Sequence, residues 1–281
     1  MQIIFPKLST IAYADKIIQN CVDAQKRKRQ LTFNFANTTW MDPFAITVIA
    51  GAIQCCLQTK KAEITYIPPE DKKLKDYLSQ IGFNAFFHLS GNDIHRDTTV
   101  EIKQLRALEP FYIDNLIVLI DSRMRLSQAV KDSLKMSIQE ILTNVFDHSK
   151  SDSGCFICAQ YYPAKRTIRL CITDFGVGIL STLRKKYRIT SDIDAIKLSV
   201  QEGITSRPQS AGFGLTNIRN FLKVNEGTLT IISGKEKVNF YSNKCERYNM
   251  TKGFEGTIVN LKINADKESF YFLTSEEEYL F

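Results

Sequence analysis

Residues 127–148, SQAVKDSLKMSIQEILTNVFDH, constrain the fold more than any other stretch of this chain. At about 100° per residue a helix gathers Val130, Leu134, Ile138, Ile141, Leu142 and Val145 on one apolar face, which has to bury against a core. Glu140, Asn144 and His148 recur every fourth residue and form a polar stripe beside that face. A helix held by its apolar side leaves this stripe to meet something else. A carboxylate one turn before a carboxamide suits a nucleotide site, because Asn offers a neutral oxygen to a hard cation and Glu can accept a proton from an attacking hydroxyl or water. The competing reading of the same stripe is a solvated helix face.

At 281 residues the chain can bury two modest cores. Its 44% hydrophobic and 24% charged residues match an ordinary soluble globular protein. The net charge of +7 is thinly spread, and its one dense run, Lys26-Arg27-Lys28-Arg29, reads as a solvated helix end, so no direct nucleic-acid contact is expected. The seven cysteines suggest no disulfide framework and the chain opens without a leader-like segment, so a reducing cytoplasm is the expected compartment. Cys155 and Cys158 have metal-pair spacing, but on a strand they point to opposite faces and read as packing residues. The longest apolar run, residues 44–53, is about half of a bilayer crossing, and no membrane segment is expected.

The first ninety residues alternate strand and helix: strands at 3–5, 31–35 and 62–67, helices at 13–25, 43–57 and 71–80. That order predicts an α/β layer, with Asp42 as N-cap and Pro43 in the first turn of its helix. LTFNFANTTWMDPFAITVIAGAIQ, then AEITYIPP and YLSQIGFNAFF, resembles the STAS domain of bacterial anti-anti-sigma factors. Phosphorylatable members carry a serine after the aspartate, whereas Pro43, Phe44 and Ala45 follow Asp42 here, so that site is not expected to accept phosphate. Thr38, Thr39 and Thr47 remain as weaker acceptors.

Ser90-Gly91-Asn92-Asp93 marks a boundary, followed by a strand at 99–105 and a helix at 110–121. His95-Arg96-Asp97 and Asp174-Phe175-Gly176 together mimic two eukaryotic protein-kinase signatures, but Ile102 stands where the catalytic-loop Asn belongs and no glycine-rich loop precedes them. Past the central helix, strands at 154–161 and 167–173 run into Asp174-Phe175-Gly176-Val177-Gly178-Ile179. A carboxylate at a strand end can accept from an exocyclic amine, and the glycines let backbone approach a ligand. A polar segment at 181–210, helical near 192–201, leads to Ala211-Gly212-Phe213-Gly214-Leu215. That turn opens a helix at 216–224, whose free N–H groups suit phosphate. Gly256-Thr257 enters a final strand at 258–263.

In this order the motifs resemble the GHKL superfamily of ATP-binding domains, shared by histidine kinases, anti-sigma-factor serine kinases, type II topoisomerases and heat-shock chaperones. EILTNVFDHS and AIKLSVQEGITSR look most like the anti-sigma-factor kinase branch. The resemblance implies an α/β fold in two parts, a STAS-like domain at 1–92 and a Bergerat-type α/β sandwich at 127–264, its largely antiparallel sheet carrying helices on one face. Residues 93–126 would be linker and first elements of the ATP domain, and 265–281 a C-terminal tail. It further implies ATP and Mg²⁺ as cofactors, with the Asn144 oxygen on Mg²⁺ and Glu140 as general base. Asp174 would accept from the adenine amine beside Gly178, supported by Thr257. Gly212 and Gly214 would end a lid, with Gly176, Ile179, Phe213 and Leu215 completing the cofactor-binding set. His148 reads foremost as a helix-end residue and Arg207 as a weak phosphate contact.

The expected function is a cytoplasmic signalling regulator, a serine/threonine-protein kinase of anti-sigma-factor type acting on a sigma-factor-like or STAS-like protein, with a homodimer allowed. The alternative is a catalytically silent, nucleotide-gated interaction module with the STAS-like domain as a built-in partner.

Overall fold

The computed structural model describes residues 1–26, 30–60, 62–89, 97–204, 214–265 and 270–271. Gly212, Phe213, Arg207, His95, Arg96 and most of the basic run and of the tail lie outside these residues. The first part of the chain runs β1 (Gln2–Ile4), β2 (Leu8–Ser9), α1 (Ala14–Lys26), β3 (Gln30–Asn34), β4 (Trp40–Met41), α2 (Pro43–Lys60), β5 (Glu63–Ile67) and α3 (Lys72–Gln80). Its three-stranded sheet has the order β1-β3-β5 and is parallel throughout, while β2 and β4 add a two-residue parallel ladder. Asp42 starts α2 by accepting the Ala45 N–H at 3.2 Å. Phe44, Ile46, Val48, Ile49 and Ile53 are all fully buried and cannot share one helix face. A helix apolar on every side is one with protein around it.

The rest of the chain follows as β6 (Thr99–Leu105), α4 (Pro110–Asp121), β7 (Arg125–Leu126), α5 (Gln128–His148), β8 (Cys155–Tyr162), β9 (Thr167–Asp174), α6 (Gly178–Leu183), α7 (Asp192–Ser199), α8 (Gly214–Val224), β10 (Thr228–Phe240), β11 (Cys245–Asn264) and β12 (Phe270–Tyr271). Five of these strands form one antiparallel sheet in the order β10-β11-β9-β8-β6. The architecture is mixed α/β with a mostly antiparallel principal sheet, as the sequence predicts.

Both faces of that sheet are covered. On one, Leu134, Ile138 and Leu142 of α5 bury against Ile157, Leu170 and Ile172, with α4 and α8 alongside. On the other, Phe156, Cys158, Cys171, Ile232 and Ile258 join the core built by α1 and α2. Cys155 and Cys158 therefore point into different cores, as their spacing on a strand requires. All seven cysteines are free thiols.

Two elements and two single residues differ from expectation. The strand expected at 258–263 is the end of the 20-residue β11, which forms a long hairpin with β10 through irregular pairings near Gly234. The chain turns into α6 already at Gly178, inside the glycine-containing motif, and the helix runs into the segment at 181–210 read as polar. Thr38 and Thr47 are fully buried, so neither is open to a kinase. No helix among the described residues is long and apolar enough to cross a membrane.

Candidate functional site

The Ser127 hydroxyl caps α5, accepting the Val130 N–H at 3.2 Å, and the Ser127 N–H donates to Tyr271 at 2.9 Å. Anchored in this way, α5 holds Asn144 and His148 along the rim of a cavity of about 120 Å³. Asp174, Gly178, Ile179, Leu215 and Thr257 close the same cavity, over a floor of Ile172 and Val259. Six of the expected site residues are thus brought together from five elements: Asn144, Asp174, Gly178, Ile179, Leu215 and Thr257. Thr182, Leu183 and Ser199, from the segment read as polar with a helical stretch near 192–201, join them. Alternation of apolar residues is weak over such short helices, which is why the sequence did not single them out.

Asp174 ends β9, and register pairs it with Thr257 on one side and Cys155 on the other. It is 3% exposed. Its Oδ1 accepts the Gly176 N–H at 2.8 Å, and Thr257 also donates to it. Burial outweighs these hydrogen bonds and pushes its carboxyl up to about 7. Near neutrality the group is therefore poised between accepting only and accepting plus donating.

The turn after Asp174 is fitted closely to α5 and β11. A Cβ on Gly176 would overlap the Ser149 carbonyl, and the next residue, Val177, donates its N–H to that carbonyl at 2.7 Å. Gly178 has φ of +75°, and a Cβ there would lie 2.8 Å from Ser233 Oγ. That hydroxyl accepts the Ile179 N–H at 3.0 Å and donates to the Gly256 carbonyl at 2.9 Å. The glycines are thus sites of backbone contact between elements as well as of open space at the cavity.

Glu140 stands apart from the cavity lining. It is half-buried where α5 meets the start of α8, and a Cβ on Gly214 would be 3.0 Å from the Glu140 Cβ. Gly214 is therefore a close-packing position between two helices. A larger cavity, about 730 Å³, lies elsewhere and is lined by Trp40, Tyr77, Arg123, Tyr161 and Tyr162, none of which the sequence singled out as functional.

No protein-family profile matches the chain, and no curated protein does. Among solved structures, a histidine kinase domain from Erythrobacter litoralis EL346 blue-light activated histidine kinase aligns over 90% of this chain and 94% of its own, at 14% identity. The TM-score is 0.29, too small an overlap to define a shared fold.

Among the described residues no three His, Cys, Asp or Glu side chains gather as a metal cage. The donor set at the cavity fits a different habit. Mg²⁺ usually keeps several waters and takes only one or two protein oxygens together with substrate phosphates, and Asn144 offers one such oxygen at the rim.

Proposed function

We propose that this chain binds an adenine nucleotide with Mg²⁺ in the cavity between α5, β9 and β11, as a kinase-like signalling ATPase of the GHKL type. The observation that carries this is the convergence of Asn144, Asp174, Gly178 and Thr257, four residues spread over more than a hundred positions of sequence, on one cavity. Asp174 supplies a buried acceptor for the exocyclic amine, and Thr257 beside it a hydroxyl for the base edge. The apolar floor of Ile172 and Val259 suits the face of a purine. Asn144 at the rim would hold the magnesium, which when bound neutralises charge on the phosphates.

Glu140 lies one turn from Asn144 on α5, near enough along the helix to orient a water or a partner's hydroxyl. On this reading the chain phosphorylates a Ser or Thr of a protein partner, in the manner of an anti-sigma-factor kinase. A second reading, a nucleotide-gated interaction module without turnover, is favoured by the position of Glu140 against Gly214 and outside the cavity lining. Under either reading the first ninety residues are a STAS-like module.

Calorimetry with Mg-ADP and Mg-ATP tests the site, and two variants separate the readings. Asn144→Ala should weaken Mg-nucleotide binding at least tenfold, about 1.4 kcal/mol, under both. Glu140→Ala should spare binding and remove ATP turnover only under the first. Absence of any heat with adenine nucleotides would remove the proposal.

A further inference from the structure

The strand that carries Asp174 has a second face, and the first part of the chain occupies it. Even-numbered residues of β9, Ile168, Leu170 and Ile172, point to the α5 side, and the series ends on Asp174 in the cavity. The odd-numbered residues, Arg169, Cys171 and Thr173, followed by Phe175, point the opposite way, toward α2.

There they meet matched partners in order along α2. Arg169 Nη1 bonds Asp42 Oδ2 at 2.6 Å, at the start of the helix. Thr173 and Thr47 share a buried hydroxyl–hydroxyl bond of 2.9 Å one turn on. Phe175 then reaches Gly51, one turn further: any Cβ on Gly51 would collide with the Phe175 ring. Phe156 and Phe254 flank the same ring edge-on, with centroids 6.1 and 5.2 Å away. Positions 47 and 51 are four apart and share a face of α2, so helix and strand run side by side in a fixed register.

The two side chains that bracket Asp174 in sequence are therefore both held by α2, from the face opposite the cavity. A strand end followed by a glycine-containing turn is ordinarily free to shift its last side chain. Here Thr173 and Phe175 are tied on either side of it.

We propose that Thr47 and Gly51 of α2 are positioning residues for base recognition, fixing the Asp174 carboxylate through Thr173 and Phe175, so that the adenine end of the site is complete only with the N-terminal part docked. The inference rests on the nucleotide reading given above. It predicts that α2 controls affinity for the base and leaves affinity for the phosphates alone, because Asn144 sits on α5, in the other layer.

The test uses the full chain and two probes: adenosine for the base end, and magnesium tripolyphosphate for the phosphate end. Gly51→Ala should weaken adenosine binding about tenfold and leave tripolyphosphate binding within about twofold, and Gly51→Ala combined with Phe175→Leu should recover part of the loss by making room for the added methyl. Thr47→Val, which keeps the shape and removes the hydroxyl, should show the same split and serves if Gly51→Ala does not fold. Equal loss for both probes, or adenosine binding unchanged in both α2 variants, overturns the proposal. If the unmodified chain binds tripolyphosphate and adenine nucleotides not at all, the nucleotide reading itself falls, a result distinct from either of those.

Discussion

At the scale of single residues, Asp174 concentrates the site's chemistry. Its carboxyl is raised to about 7 because burial penalises the charge more than the Gly176 and Thr257 donors favour it. A raised acid contributes stability that is complete below its unfolded value and is lost as pH climbs through its folded value, here over the span from 3.8 to about 7. Ligand binding has the opposite slope, since an ionised carboxylate accepts from an exocyclic amine more strongly than a protonated one. Adenosine affinity should therefore rise between about pH 6 and pH 8 and then level off. Asp174→Asn should flatten that profile and weaken binding about tenfold at pH 8, while leaving the ligand-free protein more heat-resistant than the unmodified chain at that pH. Titration calorimetry and thermal melts across pH check both halves of this statement. Asp42 is fully buried as well, and burial raises its carboxyl too, but its partners are structural: it caps α2, accepts the Ile11 N–H at 3.2 Å and pairs with Arg169. Asp42→Ala strands these groups together and should cost about 3 kcal/mol in chemical denaturation.

At the scale of elements, α5 is pinned at both ends, and the pins have different consequences. Ser127→Ala removes the N-terminal cap and should cost about 1 kcal/mol of stability with little effect on ligand, because the cap lies five turns from Asn144. Gly176→Ala acts at the other end, where the turn after β9 packs on the Ser149 carbonyl. The added methyl has no room unless the Val177–Ser149 hydrogen bond opens, which separates Asp174 from the α5 rim. We expect a stability loss of about 2 kcal/mol and at least a tenfold loss in Mg-ADP affinity, read by denaturation and calorimetry on the same sample. The turn is thus both a ligand-approach point and a weld between two elements, and its glycines serve both purposes.

At the scale of the whole molecule, the five-stranded sheet is an interior layer. Its far face, with Phe156, Cys158, Cys171, Ile232 and Ile258, is dry only because α1 and α2 cover it. A fragment beginning at residue 98 would expose that face as one contiguous apolar surface, larger than monomeric proteins ordinarily tolerate. Such a fragment should aggregate or associate at concentrations where the full chain remains dispersed, as light scattering would register.

The sequence alone determined a good deal of this. Residues 127–148 showed their helix because apolar residues recur on one face at helical spacing and Ser127 is chemically suited to cap it, and residues 110–121 showed theirs because Pro110 suits a first helical turn. The cavity residues were legible for another reason: Asn144, Asp174, Gly178 and Thr257 sit in motifs whose order along the chain resembles that of a known ATP-binding superfamily, and no single motif would have grouped them. What no local pattern contained was the second side of the sheet. The alternation of Arg169, Cys171 and Thr173 with Ile168, Leu170 and Ile172 states that β9 has two unlike faces, and a half-polar face ordinarily meets solvent. Only the tertiary structure gives Asp42 to Arg169, Thr47 to Thr173 and Gly51 to Phe175. Those partners lie more than a hundred residues away, and pairing over that distance is selected by shape and desolvation in the packed core, quantities that a linear pattern of side chains does not carry.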